Sequence, residues 1–191
     1  MNDIKDSKPR LLLHCCCAPC ASYVLESLIP LYDCTVLFYN PNIEPFDEYD
    51  KRRGELDKLV ARNSLLKYTG ILDCNYDNDT FVQAVGQLRG EPEGGARCTI
   101  CYELRLRETA KRAKDGNFEI FATTLSVSPY KDAKLLNDIG DKLAMEYNIG
   151  YLRSDFKKND GYRRSVELSK KYGLYRQNYC GCMRQTSVSS D

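Results

Sequence analysis

Five short apolar runs, each followed by a segment of helix length, are what most constrain the fold of this chain. "RLLLHCCC" reads as a buried strand running into a tight loop, and "CTVLFYN", "YTGILDC", "FEIFATTLS" and "GYLRSDF" repeat the pattern. Between them lie "CASYVLESLIPLY", "FDEYDKRRGELDKLVARN", "DTFVQAVGQLRG", "CTICYELRLRETAKRAKDG" and "YKDAKLLNDIGDKLAMEYN", with "GYRRSVELSKKYGLYRQ" after the last run. Pro19 marks the first helix start, Asp79 and Ser128–Pro129 are candidate caps, and Gly116 is a stop. Tyr102, Leu106, Ala110 and Ala113 make one apolar stripe, and Leu136, Ile139, Leu143 and Tyr147 another. Strands alternating with helices predict a single α/β domain over residues 1–185 with a mainly parallel sheet, and a frayed tail at 186–191. In such sheets ligands bind beyond the carboxyl ends of the strands. The loop after the first strand is therefore the default site.

That loop is "CCCAPC" (Cys15, Cys16, Cys17, Cys20), where nucleotide-binding relatives of the architecture carry glycines whose amides hold phosphate. Thiols in that place argue against ATP hydrolysis or adenylation. The two glycines of "EGGA" are too few and too late in the chain to replace a phosphate loop.

No apolar run approaches 18 residues, so no membrane span is expected, and the polar start "MNDIKDSKPR" lacks a secretory core. A cytoplasmic protein is the expectation. There thiols stay reduced, and ten cysteines in 191 residues point to metal or redox chemistry rather than a disulfide framework.

"CTIC" (Cys98, Cys101) opens a helix, with both sulfurs on one face and the helix dipole favouring thiolate. The two thiol groups, far apart in sequence, can converge on one centre, either structural zinc or an iron–sulfur cluster. The adjacent Cys16 and Cys17 suit the larger cluster better than one tetrahedral ion. "CGC" (Cys180, Cys182) closes a very small ring if oxidised, which makes it a redox-active pair or a source of further metal ligands. Cys34 and Cys74 read as core residues and His14, the only histidine, as a satisfied one, so a hydrolytic triad is not expected. The net charge of +1 hides basic stretches at 97–114 and 151–184, beside the cysteine motifs, which would suit a polyanion.

The motifs "LLHCCCAPC" (12–20), "FYNPNIEPFDEYDKR" (38–52), "RCTICYELRLRETAKRA" (97–113), "FATTLSVSPYKD" (121–132) and "DFKKNDGYRRSVELSKKYGLYRQNYCGC" (155–182) resemble the cobalamin-independent epoxyqueuosine reductases of the QueH family. The resemblance implies a Rossmann-like (HUP-type) domain that reduces epoxyqueuosine, at the wobble position of certain tRNAs, to queuosine. It implies a [4Fe–4S] cluster on Cys16, Cys17, Cys98 and Cys101 and an additional iron ion, for which Cys20 is the spare thiolate. It also implies a redox-active disulfide between Cys180 and Cys182. Cys15 leaves the ligand register open by one. A splayed wobble base would stack on Tyr39, Tyr130, Tyr175 or Tyr179, with Asn40 beside it. Arg105, Arg107, Lys111, Arg163, Arg164 and Lys171 are candidates for phosphate contact. The electron donor is not readable. The rivals are a cluster-dependent tRNA thiolation enzyme, which normally needs an ATP loop that is not seen here, and a zinc-stabilised RNA-binding module without catalysis.

Overall fold

The computed structural model describes residues 8–182; the predicted tail at 186–191 lies outside them. Five parallel strands form one sheet: β1 (Arg10–His14), β2 (Asp33–Phe38), β3 (Gly70–Asp73), β4 (Ile120–Thr123) and β5 (Gly150–Tyr151). Their order across the sheet is β3-β2-β1-β4-β5. Six helices connect and follow them: α1 (Ala18–Leu28), α2 (Phe46–Arg62), α3 (Asn78–Val85), α4 (Ala96–Asp115), α5 (Ala133–Tyr147) and α6 (Gly161–Tyr172). The predicted α/β fold with a parallel sheet is the observed one. Each β1 neighbour is reached through a helical crossover, and the chain reverses direction across the sheet between β1 and β4. That reversal opens a crevice beyond the strand ends, where such sheets bind ligands.

The alternation of β1 decides the layers. Leu11 and Leu13 point to a core shared with α1, α2 and α6, among them Val24, Leu25, Leu56 and Leu168. Leu12 points the other way, into a core with Tyr102, Leu106, Phe121, Leu136 and Leu143 of α4, β4 and α5. All three leucines are fully buried, as expected of a central parallel strand covered on both faces. The stripe predicted for α4 is buried throughout, at 2% or less exposure. In α5, Leu136, Ile139 and Leu143 are buried and Tyr147 packs on the same core.

Helix ends depart from the sequence reading where a better side chain competes. Asp77, not Asp79, caps α3 by accepting from Thr80 N. Asp132, not Ser128, caps α5, accepting from the amides of Lys134 and Leu135. Leu125–Val127 form a short 3-10 turn, which delays α5 to Ala133. α6 stops at Tyr172 because Gly173 turns left-handed (φ 59°), so the segment up to Cys182 is free to cross the site.

Candidate functional site

The thiol loop sits where β1 ends. Its backbone is anchored three times: Cys15 N donates to Leu37 O (2.9 Å), Cys15 O accepts from Asn40 Nδ2 (2.8 Å), and Cys16 N donates to Thr124 Oγ1 (3.4 Å). Cys15 is fully buried in the core beneath α1, and its sulfur donates to Cys17 O (3.3 Å). Cys16, Cys17 and Cys20 gather instead on the cavity side, with their sulfurs all within 4.8 Å of one another. Cys17 is the residue that begins α1, with Cys20 in its first turn. Cys16 Sγ lies 3.8 Å from Cys17 Sγ.

These three thiols share charge. Cys16 is held well below the ordinary thiol range by hydrogen bonds from Cys17 and Cys20, with help from Arg105. Cys17 is pushed up to about 12, first by its bond to Cys16, and Cys20 is pushed up for the same reason. One thiolate with two thiols pointing at it is the arrangement a cation would complete by displacing the two protons.

Cys98 and Cys101 occupy the first two turns of α4 and are 4% and 3% exposed. Cys98 accepts from Gly94 N (3.2 Å) and lies in the apolar cluster on which Cys16 packs. Cys101 lies in another cluster, with Phe81, Val85 and Cys182, on which Cys180 packs. The first turns of α1 and α4 carry neither an acidic residue nor a side-chain cap, so their positive ends stay open toward anions. One turn on from Cys101, Arg105 is 3% exposed; its Nε donates to Cys101 O (3.1 Å), and its charge faces Cys101, Cys180 and Cys16. Arg97, next to Cys98, is 2% exposed. Its Nη1 donates to Arg89 O, while Nε and Nη2 are buried without partners among the described residues. A buried guanidinium with two idle donors beside cysteines asks for an anion. A metal group carrying several thiolates is such an anion; among the described residues the thiols close enough together to share a metal are Cys16, Cys17 and Cys20, and Cys98 and Cys101 are not in that group.

Cys180 and Cys182 lie 3.4 Å apart, sulfur to sulfur, with Lys131 Nζ 3.8 Å from Cys180. Cys180 is held well below the thiol range by the bond from Cys182 and then by Lys131 and Arg105. Lys131 also pairs with Glu93, from the glycine-rich loop before α4. That loop, unconvincing as a phosphate cradle, thus delivers a carboxylate to the site.

A cavity of about 400 Å³ lies between the thiol loop and Cys180; Cys98, Cys101 and Cys182 are not among its lining residues. Cys16, Cys17, Cys20 and Cys180 line it with Arg52, Arg105, Lys131 and Arg176, and Glu93 is the one carboxylate among its lining residues. Tyr130, 74% exposed, Tyr162 and Tyr179 supply aromatic surface there, and Arg52 lies over the Tyr179 ring at 5.2 Å. The expected Asn40, Tyr130, Arg105 and Tyr179 are therefore at the cavity. Tyr39 is not among its lining residues; it is half-buried and packs against the second core. Arg163 is exposed and pairs with Asp160 and Glu167, and Arg107 and Arg164 are likewise engaged by carboxylates. Tyr175 offers its hydroxyl to Glu48 (3.3 Å). Sequence reasoning missed Lys131, Glu93, Arg52, Arg176 and Gln177. All five stood in stretches quoted above, Lys131 in "SPYKD", Arg52 in "DEYDKR", Glu93 in "EGGA" and Arg176 and Gln177 in "YRQNYCGC", but nothing in the local sequence shows that they meet at one cavity.

His14 is satisfied, as expected. Tyr39 O can only accept, so Nε2 carries the proton (3.1 Å) and Nδ1 accepts from Thr123 Oγ1 (3.0 Å). Burial, then the Arg105 charge, lowers its pKa to about 4 and keeps it neutral. Cys34 is buried, and Cys74 is half-buried against the second core.

Among known proteins, the epoxyqueuosine reductase QueH family model matches residues 11–187. The epoxyqueuosine reductase QueH of Streptococcus pyogenes serotype M1 is 43% identical over 178 residues, which is 92% of this chain and 70% of that protein. The one from Staphylococcus epidermidis is 41% identical over 182 residues, 92% of this chain and 76% of its own length. The one from Thermotoga maritima is 36% identical over 173 residues, 91% of this chain and 88% of the relative. With a match spanning nearly all of the described residues and the thiol-lined cavity inside it, the chain belongs to the epoxyqueuosine reductase QueH family.

Proposed function

We propose that this protein reduces epoxyqueuosine at the wobble position of tRNA to queuosine, with a [4Fe–4S] cluster at the thiol-lined mouth of the sheet. The observation that carries the reading is the convergence of Cys16, Cys17, Cys20 and Cys180 on one cavity, in a chain of this family. Cys16, Cys17, Cys98 and Cys101 would hold the cluster, and Cys20 is the thiolate left for an additional iron. The burial of Cys15 in the opposite core favours the register that starts at Cys16. When bound, the cluster supplies electrons one at a time, and an iron ion beside it a Lewis acid for the epoxide oxygen.

The chain's own residues account for the rest. Opening the epoxide to an alkene consumes two electrons and two protons and releases water. Oxidation of Cys180 and Cys182 from two thiols to one disulfide releases two electrons and two protons, so the stoichiometry closes. The cavity is of nucleoside size and far too small for a folded tRNA, so the wobble nucleoside must swing out of the anticodon loop to enter it. Tyr130 and Tyr162 offer rings for stacking at its edge, while Arg176 offers positive charge to the flanking phosphates. Burial around Arg105 and Arg97 keeps Cys98 and Cys101 away from water.

The reading is tested by incubating the reduced, iron-loaded protein anaerobically with tRNA that contains epoxyqueuosine. Mass spectrometry of the released nucleosides should show the loss of one oxygen atom. Unchanged epoxyqueuosine in the presence of a fully loaded cluster and reductant refutes it. Among the described residues no helix is long and apolar enough to cross a membrane, in line with a tRNA substrate.

A further inference from the structure

The two sulfurs of the Cys180–Cys182 pair are not equivalent. The peptide between them is fixed: Gly181 O accepts from Glu44 N (2.9 Å), and a Cβ at Gly181 would meet Ile43 Cγ1 at 2.8 Å. Glu44 is in turn held by Arg89 (3.0 Å). The segment therefore cannot roll over to swap its sulfurs. Cys180 is partly exposed and lines the cavity, whereas Cys182 is 5% exposed and packs with Phe81, Val85 and Cys101. Among the described residues Cys180 has an ammonium beside it, from Lys131 at 3.8 Å, whereas Cys182 has only the buried Arg97 guanidinium acting on it from the protein side. Thiol–disulfide exchange requires an incoming thiolate to reach one sulfur in line with the bond it breaks. From the cavity, only one of these two sulfurs can be reached.

We propose that Cys180 is the entry sulfur through which an external dithiol reductant recharges the pair, and that Cys182 is the resolving thiol, which never meets that donor. The inference rests on the pair being redox-active, as proposed above. In the recharging step a donor thiolate forms a bond to Cys180 Sγ, and the Cys180–Cys182 bond breaks with Cys182 leaving. The donor's second thiol then attacks its own sulfur in the mixed disulfide and Cys180 leaves beside Lys131. The donor ends as a disulfide and the pair as two thiols, so two electrons and two protons have passed. Because Cys180 lines the same cavity as Cys16, Cys17 and Cys20, recharging and substrate binding take turns.

The test uses the iron-loaded full chain and a small symmetrical disulfide, 2-hydroxyethyl disulfide, as probe. Cys182→Ser and Cys180→Ser variants each leave one thiol in the tryptic peptide 177–184, where acid quenching and mass spectrometry count the mixed disulfide. Adduct on Cys180 should form at least about tenfold faster than adduct on Cys182. Equal rates, or the reverse order, overturn the proposal. Should either variant fold poorly, limiting N-ethylmaleimide on the wild-type protein gives the same reading: Cys180 takes the first label, and a first label on Cys182 overturns it. If neither sulfur reacts until iron is removed, the pair is a ligand set and the proposal falls, while the oxygen-loss assay stands independently. If that assay fails and Cys180 still reacts selectively, only the substrate assignment falls.

Discussion

Replacing Asn40 with alanine isolates the support of the thiol loop from contact with substrate. Asn40 is 1% exposed, and its Nδ2 is the partner of the Cys15 carbonyl, at 2.8 Å. The loop has two other backbone anchors there, from Cys15 N to Leu37 O and from Cys16 N to Thr124 Oγ1. Alanine removes the donor and strands a buried carbonyl, which costs about 1–3 kcal/mol. For a domain of this size each kcal/mol moves Tm by roughly 2–4 °C, so a fall of about 2–12 °C is expected. The lost anchor frees the backbone before Cys16 and Cys17, so iron per chain should fall as well. Aspartate keeps the shape, lacks the donor, and sets a carboxylate against the carbonyl, so it should be worse than alanine at neutral pH. Circular dichroism melts and colorimetric iron on the same preparations are the assay. An alanine variant with unchanged Tm and iron but a raised KM for tRNA would make Asn40 a substrate contact and refute the reasoning.

Other outcomes follow from the same geometry. Cys101→Ala should abolish both the brown chromophore and turnover; full iron content in that variant removes Cys101 from the ligand set. Gly181→Ala forces the "CGC" segment off Ile43, so the rate advantage of Cys180 over Cys182 in disulfide exchange should shrink while α/β helicity by circular dichroism stays intact. Burial lifts Cys34 to about 11 from its ordinary 9.0, so at pH 8 it should alkylate on the order of a hundred times more slowly than a free thiol, the difference closing as pH rises through 11. Binding of tRNA should weaken steeply with salt, and Arg176→Gln should flatten the slope by about one unit on a logarithmic plot; an unchanged slope removes Arg176 from the phosphate contacts.

The sequence made the sheet legible because β1, β2 and β4 are buried on both faces and must be apolar throughout. Leu11–Leu13 and Val36–Phe38 left little choice of element. β5 was harder to delimit: it is two residues long, held by β4 alone, and its neighbours look equally strand-like. Helix starts were misread where two capping residues compete, as Asp77 does with Asp79, since only the path of the preceding chain decides which oxygen reaches the free amides. The thiols were legible as chemistry, because four cysteines in six residues at the mouth of a strand have little use other than metal or redox chemistry. The division of labour among them was not. That Cys15 faces the core while Cys16 faces the cavity depends on where β1 ends, at His14. Arg52, Arg176 and Glu93 come from separate elements and share the cavity only through tertiary structure. For Arg163, charge in sequence did not reveal that Asp160 and Glu167 pair with it on the surface.

The central claim is that thiols from distant segments hold iron where a phosphate loop would otherwise lie. Iron and acid-labile sulfide per chain, measured on anaerobically purified wild-type protein and on Cys16→Ser, test it most directly. About four sulfides with at least as much iron in the wild type, and near-complete loss of both in the variant, is the predicted result. A colourless protein carrying one zinc per chain and no sulfide would contradict it.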